Sequence, residues 1–246
     1  VESPVVEVLG RLTNDSLALG YVPRHSKDGV ISMIPKGGAA GVTVTDVGEM
    51  RPITLLSELG KLTSRVLADR VSTVFANEPS LLHSSQRAFQ RNGDTGQCVD
   101  MALDVMEDYH REKKGQSELF ALSYDQAKAY DSVQQYSIRC TLERFSFPEE
   151  AVSFFCSTLE NAYSAVRTHG GNTERFPVHT SVRQGDPFAA ILFIMIADVL
   201  HRGYTDGHAD RSGPGSGVGY TFAHGEEPLT VASCGYADDV MIFAES

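Results

Sequence analysis

The chain has 246 residues, of which 41% are hydrophobic and 22% charged, and this ordinary composition allows one large core or two smaller ones. Its 32 acidic residues outnumber the 21 basic ones, and the net charge of −11 argues against a broadly basic nucleic-acid-binding surface. The four cysteines form no CxxC pair and no histidines cluster, which indicates neither a disulfide framework nor a zinc site. A reducing, intracellular setting, in the nucleus or cytoplasm, is expected.

No membrane segment is expected from the sequence. The N-terminus lacks the positively charged start and apolar stretch of a signal peptide. The longest apolar run, Phe188–Ala197, is too short to cross a bilayer. We therefore expect a soluble protein without a membrane partner.

The N-terminal part predicts a small, loop-rich sheet, because glycines within residues 37–41 separate two β-type runs, Val30–Ile34 and Val42–Val47. A helix is predicted from Ser57 until Pro79 forbids its continuation, and a second helix follows at about residues 95–113. The predicted inner residues are Leu59, Leu62, Val66, Val71 and Val74 in the first helix, and Val99, Leu103, Met106 and His110 in the second.

The middle of the chain predicts a buried strand followed by two helices. The strand is the short apolar segment Leu119–Tyr124. Ser132 with Gln135 three residues later is typical of a capping box, which predicts the start of the first helix. The second helix is predicted to begin at Pro148, because two acidic residues follow it and favour the positive end of a helix dipole. The inner residues of the first helix are Val133, Ile138, Leu142 and Phe145.

The last third predicts a buried helix and a β-hairpin. The helix, Phe188–Leu200, is apolar almost all round and follows the tight turn RQGDP at residues 183–187. A glycine-rich segment, Asp206–Pro228, is predicted to be a loop. The β-type runs Val231–Tyr236 and Val240–Ala244 flank a very short acidic segment, which is typical of a tight hairpin.

Three carboxylates lie where these predicted strands end: Asp125 after the first strand, and Asp238 and Asp239 in the hairpin. If the strands are neighbours in one sheet, the carboxylates converge. Joining a nucleotide to a 3′-hydroxyl uses two Mg²⁺ ions about 3.5–4 Å apart, and Mg²⁺ prefers oxygen ligands. Packed carboxylates without counterions would be unstable, so the cluster implies the metals. Taken singly, however, an Asp-Asp pair is also ordinary turn chemistry, and Asp125 is also an ordinary helix-start residue.

Several segments, in order along the chain, resemble the sequence boxes of reverse transcriptases. Residues 236–239, YADD, resemble the YxDD box, and residues 124–133, YDQAKAYDSV, resemble the first palm motif, D-x-x-x-A-[FY]-D-S-V. The other matching segments are IPK at 34–36, MRPITLLS at 50–57, QRAF at 86–89, RQGDP at 183–187 and LF at 192–193. The RPI-x-LLS and RQGDP segments are similar to enzymes of non-LTR retrotransposons more than to retroviral enzymes. The resemblance covers about residues 30–246.

The resemblance implies a metal site. Asp125, Asp238 and Asp239 are expected to be the catalytic metal ligands, and Gln126 is a further candidate for metal binding. The expected cofactor is a pair of Mg²⁺ ions, with Mn²⁺ as an alternative.

The resemblance also implies substrate-binding residues. Lys36 and Arg51 are expected to touch the incoming triphosphate, as a point charge and a planar fork. Tyr130 matches a steric gate that favours dNTPs over rNTPs, although a core aromatic residue fits the same position. The remaining candidates are Ala129, Gln184, Gly185 and Tyr236. For the turn that contains Gln184 and Gly185, the alternative is a plain turn before a helix.

The implied fold is α+β: the fingers and palm of a right-hand polymerase, with an antiparallel palm sheet backed by helices. We expect fingers with an N-terminal extension at 1–92, the first part of the palm at 93–132, a helical insertion of fingers and palm at 133–180, and the rest of the palm at 181–246. Family members continue beyond the hairpin, so a thumb is expected to be absent from this chain. The thumb, RNA-binding regions and an endonuclease are expected elsewhere in the full-length protein.

The implied activity is RNA-directed DNA synthesis, in which a primer 3′-hydroxyl attacks the α-phosphate of a dNTP. The expected partners are an RNA template, a DNA or RNA primer and a dNTP. Three alternatives stay open: a catalytically idle palm-like scaffold, a decayed retroelement copy, and an RNA-dependent RNA polymerase. The usual box of the last class carries glycine where this chain has Ala237.

Overall fold

The computed structural model describes residues 3–36, 46–205, 218–222 and 228–246. Its helices are α1 Pro4–Ala18, α2 Arg24–Lys27, α3 Glu58–Asn77, α4 Thr95–Asp108, α5 Ala129–Ser132, α6 Gln135–Arg144, α7 Glu149–Leu159 and α8 Ala189–Thr205. Its strands are β1 Gly29–Pro35, β2 Met50–Leu55, β3 Leu119–Asp125, β4 Tyr163–Thr168, β5 Gly171–Asn172, β6 Phe176–Pro177, β7 Tyr220–Phe222, β8 Leu229–Val231, β9 Ser233–Tyr236 and β10 Asp239–Glu245. Within these ranges no helix combines the length and the apolar character needed to cross a bilayer.

The chain divides into two compact units, each formed by two separate stretches of sequence. The first unit is Val1–Arg70 with Tyr130–Ala189, and the second unit is Val71–Ala129 with Ala190–Ser246. Both units combine strands with helices, which agrees with the predicted α+β class.

The first unit contains a mixed sheet in the order β2-β1-β4-β5, with β6 also paired to β4. Strand β1 pairs antiparallel with β2 and parallel with β4. Helix α7 contacts α1, α2 and α6, and buries Phe154 and Phe155. The ring of Phe155 stacks on Phe188 with centroids 4.1 Å apart, so aromatic packing fixes the residue that precedes α8.

The second unit contains an antiparallel sheet in the order β3-β10-β9 and a separate β7-β8 hairpin. Helix α4 contacts β9 and β7. The core of this unit is formed by Val105, Tyr220, Val231, Cys234 and Phe243, all buried. The strand before Asp125 and both strands of the hairpin are therefore neighbours in one sheet. The prediction of a buried strand there is wrong, because β3 is the edge strand of this sheet and its residues 120–125 are exposed.

The predicted inner face of α4 is wrong, and that of α3 is only partly right. Val99 and Leu103 of α4 are 57% and 50% exposed, and Met106 and His110 are exposed as well. The inner face of this helical segment carries Cys98, Met101, Ala102, Val105 and Tyr109 instead. Small residues such as Cys98 and Ala102 let a helix approach a sheet closely, and a count of large apolar residues misses them. Helix α3 buries the predicted Val71, and Leu59 and Val66 are half-buried, but Leu62 and Val74 are exposed. The other buried residues of α3 are Thr63, Ser64, Leu67 and Ala68.

Two helix starts also differ from the prediction. The 15-residue helix α1 lies where only irregular structure and short strands are predicted. The predicted capping box is wrong, because α6 begins at Gln135 with Gln134 as its N-cap and without a capping side chain. Ser132 instead ends the short helix α5. Helix α7, in contrast, begins directly after Pro148, as predicted.

Strands appear in two segments predicted to lack them. Residues 133–180, predicted as a helical insertion, contain β4, β5 and β6 besides two helices. The predicted loop Asp206–Pro228 lies mostly outside the described residues, but its Tyr220–Phe222 part is strand β7. Residues 37–45, with the predicted glycine turn and most of the second β-type run, also lie outside them.

Candidate active site

The structure brings the three candidate carboxylates to one end of the β3-β10-β9 sheet. Strand β10 pairs antiparallel with β3 so that Asp239 lies directly opposite Asp125. On its other side Asp239 lies opposite Tyr236, so the turn between β9 and β10 consists of Ala237 and Asp238. Directly paired residues of antiparallel strands have Cα atoms about 4.5–5.5 Å apart. The three carboxylates therefore start from neighbouring backbone positions, although Asp125 is distant in sequence.

The electrostatics of this sheet end favours a cation. Partial burial, and after it the charges of Asp238 and Asp125, raise the pKa of Asp239. Among the described residues, no lysine or arginine forms an ion pair with any of the three carboxylates. Their mutual repulsion is left for a cation to relieve, and carboxylate oxygens are the donors that Mg²⁺ prefers.

The carboxylates fit a divalent cation in chemical type and in backbone position. Within the described ranges, however, no three His, Cys, Asp or Glu side chains are already grouped as a metal-binding set. The strand register alone brings the three carboxylates together, with Asp239 opposite Asp125 and Asp238 in the adjoining turn. The fit therefore depends on the strand register rather than on the side-chain rotamers.

Gln126, Ala129 and Tyr236 lie in the same unit as the carboxylates. Gln126 follows β3 directly and is partly buried, and Ala129 is buried at the start of α5. Lys128 between them has φ +53°, so the backbone turns sharply after the strand. Tyr236 ends β9, and its ring centroid lies 6.4 Å from that of Phe89.

Lys36 and Arg51 lie at one end of the β1-β2 ladder in the first unit. Arg51 is paired with Ile34, and the Lys36 N–H donates a 2.8 Å hydrogen bond to the Glu49 carbonyl. Residues two apart along a strand share a face, so this register predicts both basic side chains on the same face. Both are exposed, and in the described part of the chain neither side chain has a hydrogen bond or ion pair.

The turn at residues 183–187 lies against β2, also in the first unit. The Thr54 N–H donates a 2.7 Å hydrogen bond to the Gln184 carbonyl. Gly185 has φ +113°, and a Cβ atom there would lie 2.4 Å from the Thr54 carbonyl oxygen, so the position requires glycine. The carbonyl of Tyr130, a partly buried residue of α5, accepts a 2.9 Å hydrogen bond from the Val182 N–H.

Two charged residues of the same turn have structural roles. The buried guanidinium of Arg183 donates a 3.1 Å hydrogen bond to the Thr158 carbonyl, and burial lowers the pKa of Arg183. The carboxylate of Asp186 accepts hydrogen bonds from the Phe188 N–H at 2.9 Å and the Ser64 hydroxyl at 3.3 Å. Asp186 thus satisfies a backbone donor just before α8, as in the alternative of a plain turn before a helix.

One residue to which the sequence argument gives no role contacts the hairpin. Gln86 is 1% exposed, and its side-chain amide is hydrogen-bonded to the backbone of Ala237. Its place in the QRAF segment is the only sequence signal. The contact joins residues far apart in the chain, so no local pattern predicts it.

Residues 34–246 match the family described as reverse transcriptase (RNA-dependent DNA polymerase). The chain belongs to the reverse transcriptase family. It is 28% identical over 231 residues to a Retrovirus-related Pol polyprotein from type-1 retrotransposable element R2 of Popillia japonica, covering 94% of this chain and 29% of that protein. It is 26% identical over 196 residues to the RNA-directed DNA polymerase from mobile element jockey of Drosophila melanogaster, covering 78% of this chain and 20% of that protein.

Solved telomerase structures share the fold of this reverse transcriptase chain. Apo telomerase from Candida tropicalis, truncated from its C-terminal domain, matches with a TM-score of 0.58 and 14% identity, over 91% of this chain and 45% of that one. Telomerase from Candida albicans, in complex with a TWJ fragment of telomeric RNA, matches with a TM-score of 0.58 and 11% identity, over 95% and 40%. The chain thus spans less than a third of the curated relatives named above and less than half of these structures.

The family match confirms the resemblance drawn from the sequence boxes, and the retrotransposon relatives confirm the non-LTR kind. Reverse transcriptases generally use divalent metal ions. That property agrees with the oxygen donors at the end of the β3-β10-β9 sheet.

Proposed function

We propose that this chain is the catalytic core of an RNA-directed DNA polymerase, which adds dNTPs to a primer 3′-hydroxyl on an RNA template. The observation that carries the proposal is the strand register that sets Asp239 opposite Asp125, with Asp238 in the adjoining turn. Membership of the reverse transcriptase family supports RNA as template and DNA as product.

The three carboxylates would hold two Mg²⁺ or Mn²⁺ ions, with the side-chain oxygen of Gln126 as a further donor. When bound, such ions make the 3′-hydroxyl nucleophilic and neutralise the triphosphate. The contribution of the protein is to fix the carboxylates in strand register before the substrate arrives. The primer 3′-oxygen then bonds to the α-phosphorus, its proton is lost, and pyrophosphate leaves with the electron pair of the broken P–O bond.

The residues of the matching sequence boxes would bind and select the nucleotide. Lys36 and Arg51, exposed and without partners among the described residues, suit the oxygens of a triphosphate. Tyr130, next to Ala129, would exclude a 2′-hydroxyl from the sugar site. The backbone at Gln184 and Gly185, where no side chain fits on the glycine, would lie against nucleotide and template. Tyr236 is the remaining candidate for substrate contact.

We assign residues 1–92 to the fingers with an N-terminal extension, 93–132 and 181–246 to the palm, and 133–180 to an insertion of fingers and palm. A thumb, further RNA-binding regions and an endonuclease would lie elsewhere in a longer protein, because the curated relatives are several times longer than this chain. The protein would act inside the cell, in the nucleus or cytoplasm.

The proposal is tested by primer extension on an RNA template with dNTPs and Mg²⁺, using the longer protein that carries this chain. Asp238→Ala and Asp239→Ala should each abolish extension while the protein stays folded and binds the primed template. Extension that survives either substitution would refute the metal-site assignment. A wild-type protein that binds the template but never extends the primer would support an idle scaffold, and preferential use of rNTPs would support an RNA polymerase.

A further inference from the structure

The amide of Gln86 is joined to the turn that carries the Asp238-Asp239 pair. Its Oε1 accepts hydrogen bonds from the Ala237 N–H at 2.9 Å and from the Ala88 N–H at 3.0 Å. Its Nε2 donates a 3.2 Å hydrogen bond to the Ala237 carbonyl. One side chain therefore satisfies both backbone polar groups of Ala237, which is itself buried.

The backbone around Gln86 is held in place as well. The Gly235 N–H donates to the Ser85 carbonyl, and the Arg87 N–H donates to the Gly235 carbonyl, both at 2.9 Å. Gln86 and Gly235 thus form a parallel bridge beside β9. This bridge places the buried side chain of Gln86 beside the hairpin turn. The side-chain amide of Gln86 then bonds to Ala237, the residue that follows β9.

Ala237 needs such support because its backbone is in the left-handed region, with φ +58°. For a residue other than glycine this conformation is uncommon and strained unless the surroundings impose it. Asp238 and Asp239 follow immediately, so the conformation of Ala237 sets the direction in which the carboxylate pair leaves β9.

We infer that Gln86 is a positioning residue for the acidic pair. Its amide holds Ala237 in the left-handed conformation and thereby fixes the backbone from which Asp238 and Asp239 project. This role rests on the proposed function of that pair. An amide is required, because the donor and the acceptor are both used, and no other uncharged side chain of this length offers both.

The test compares Gln86→Met, which removes both bonds at similar length, with Gln135→Met in the full-length protein. Gln135 is a matched control, since its partly buried amide also bonds to backbone, at 3.1 Å to the Val178 carbonyl, but belongs to the first unit. We expect kcat to fall about 100-fold in Gln86→Met with a nearly unchanged KM for dNTP, as for a misplaced catalytic group. Gln135→Met should keep kcat within about threefold of wild type, because the Gln135 amide bonds to the Leu159 and Val178 carbonyls and not to the hairpin turn. A threefold factor corresponds to less than about 1 kcal/mol of activation free energy.

A second readout does not need activity. Hydrogen exchange of a peptide spanning residues 233–239 should accelerate in Gln86→Met and not in Gln135→Met. If Gln86→Met fails to fold, the near-isosteric Gln86→Glu replaces it, since Glu keeps the acceptor but loses the donor to Ala237. Adding Ala237→Gly to either Gln86 variant should restore part of kcat, because glycine adopts φ +58° without strain.

The outcomes separate the inference from the proposed function. Suppose that exchange is faster in Gln86→Met but the wild-type protein never extends a primer. The contact of Gln86 with the turn would then stand, and the proposed function would be overturned. Suppose instead that the wild type is active, that Asp238→Ala abolishes activity, and that both Gln86 variants keep the wild-type kcat. This result would overturn the positioning role of Gln86 and leave the proposed function standing. Loss of kcat without rescue by Ala237→Gly would show that Gln86 does not act through the turn.

Discussion

Because the turn at 183–187 lies against β2, we expect Gly185→Ala to destabilise the fold. The new Cβ would lie 2.4 Å from the Thr54 carbonyl oxygen, a backbone atom that cannot rotate away. The φ of +113° is also one that L residues rarely adopt. Strain of this kind costs about 1–3 kcal/mol, and overpacking costs about 1–3 kcal/mol more. We expect a loss of about 2–6 kcal/mol in the free energy of unfolding.

The measurement is urea unfolding followed by circular dichroism. With a slope of about 1–3 kcal/mol per molar urea, the midpoint should fall by at least about 0.7 M. Gly10→Ala is the matched control, because Gly10 lies in α1 with open space around its Cβ position, and alanine there should raise stability by about 0.5–1 kcal/mol. A midpoint for Gly185→Ala equal to that of wild type would show that the turn does not lie against β2.

Three further predictions concern two buried groups and the proposed steric gate. Burial, and after it the charge of His83, lowers the pKa of His201 from 6.5 to about 4. The neutral ring therefore stabilises the fold above pH 6.5, and the free energy of unfolding should fall by about 3 kcal/mol as the pH decreases towards 4. Urea midpoints at pH 7 and pH 5 check this, and an equal drop in His201→Gln would contradict it. Tyr220→Phe leaves the buried Asp108 carboxylate without its 2.7 Å hydroxyl donor and should cost about 1–3 kcal/mol, measured by thermal unfolding. Tyr130→Ala should increase rNTP incorporation relative to dNTP by about tenfold or more in primer extension, and an unchanged ratio would exclude a steric gate.

Much of the site could be predicted because its elements are local. The apolar run before Asp125 and the two runs around the Asp238-Asp239 pair each predict a strand, and β3, β9 and β10 lie at these runs. The run Val231–Tyr236 is divided, however, because Val231 ends β8 and β9 begins at Ser233. Whether the strands are neighbours is left as a condition by the sequence. It does not predict their order, β3-β10-β9, or the register that pairs Asp125 with Asp239, because these depend on tertiary packing.

Other features could not be predicted because they depend on partners distant in sequence. The inner face of α4 depends on how closely the helix packs on the strands that it contacts. The small Cys98 and Ala102 lie on that face, while the larger Val99 and Leu103 are exposed. The role of Gln86 could not be predicted from the sequence, because its partner Ala237 lies 151 residues away, in a turn where its φ is positive.

Asp125 is proposed to share divalent cations with the hairpin carboxylates. The most direct test of this sharing is Mn²⁺ binding, followed by electron paramagnetic resonance, to the full-length protein with a dideoxy-terminated primer, RNA template and dNTP. Wild type should bind two ions, Asp125→Asn should weaken binding at least about tenfold, and Asp104→Asn, which removes an exposed acid of α4, should not. Equal binding by wild type and Asp125→Asn would contradict the account.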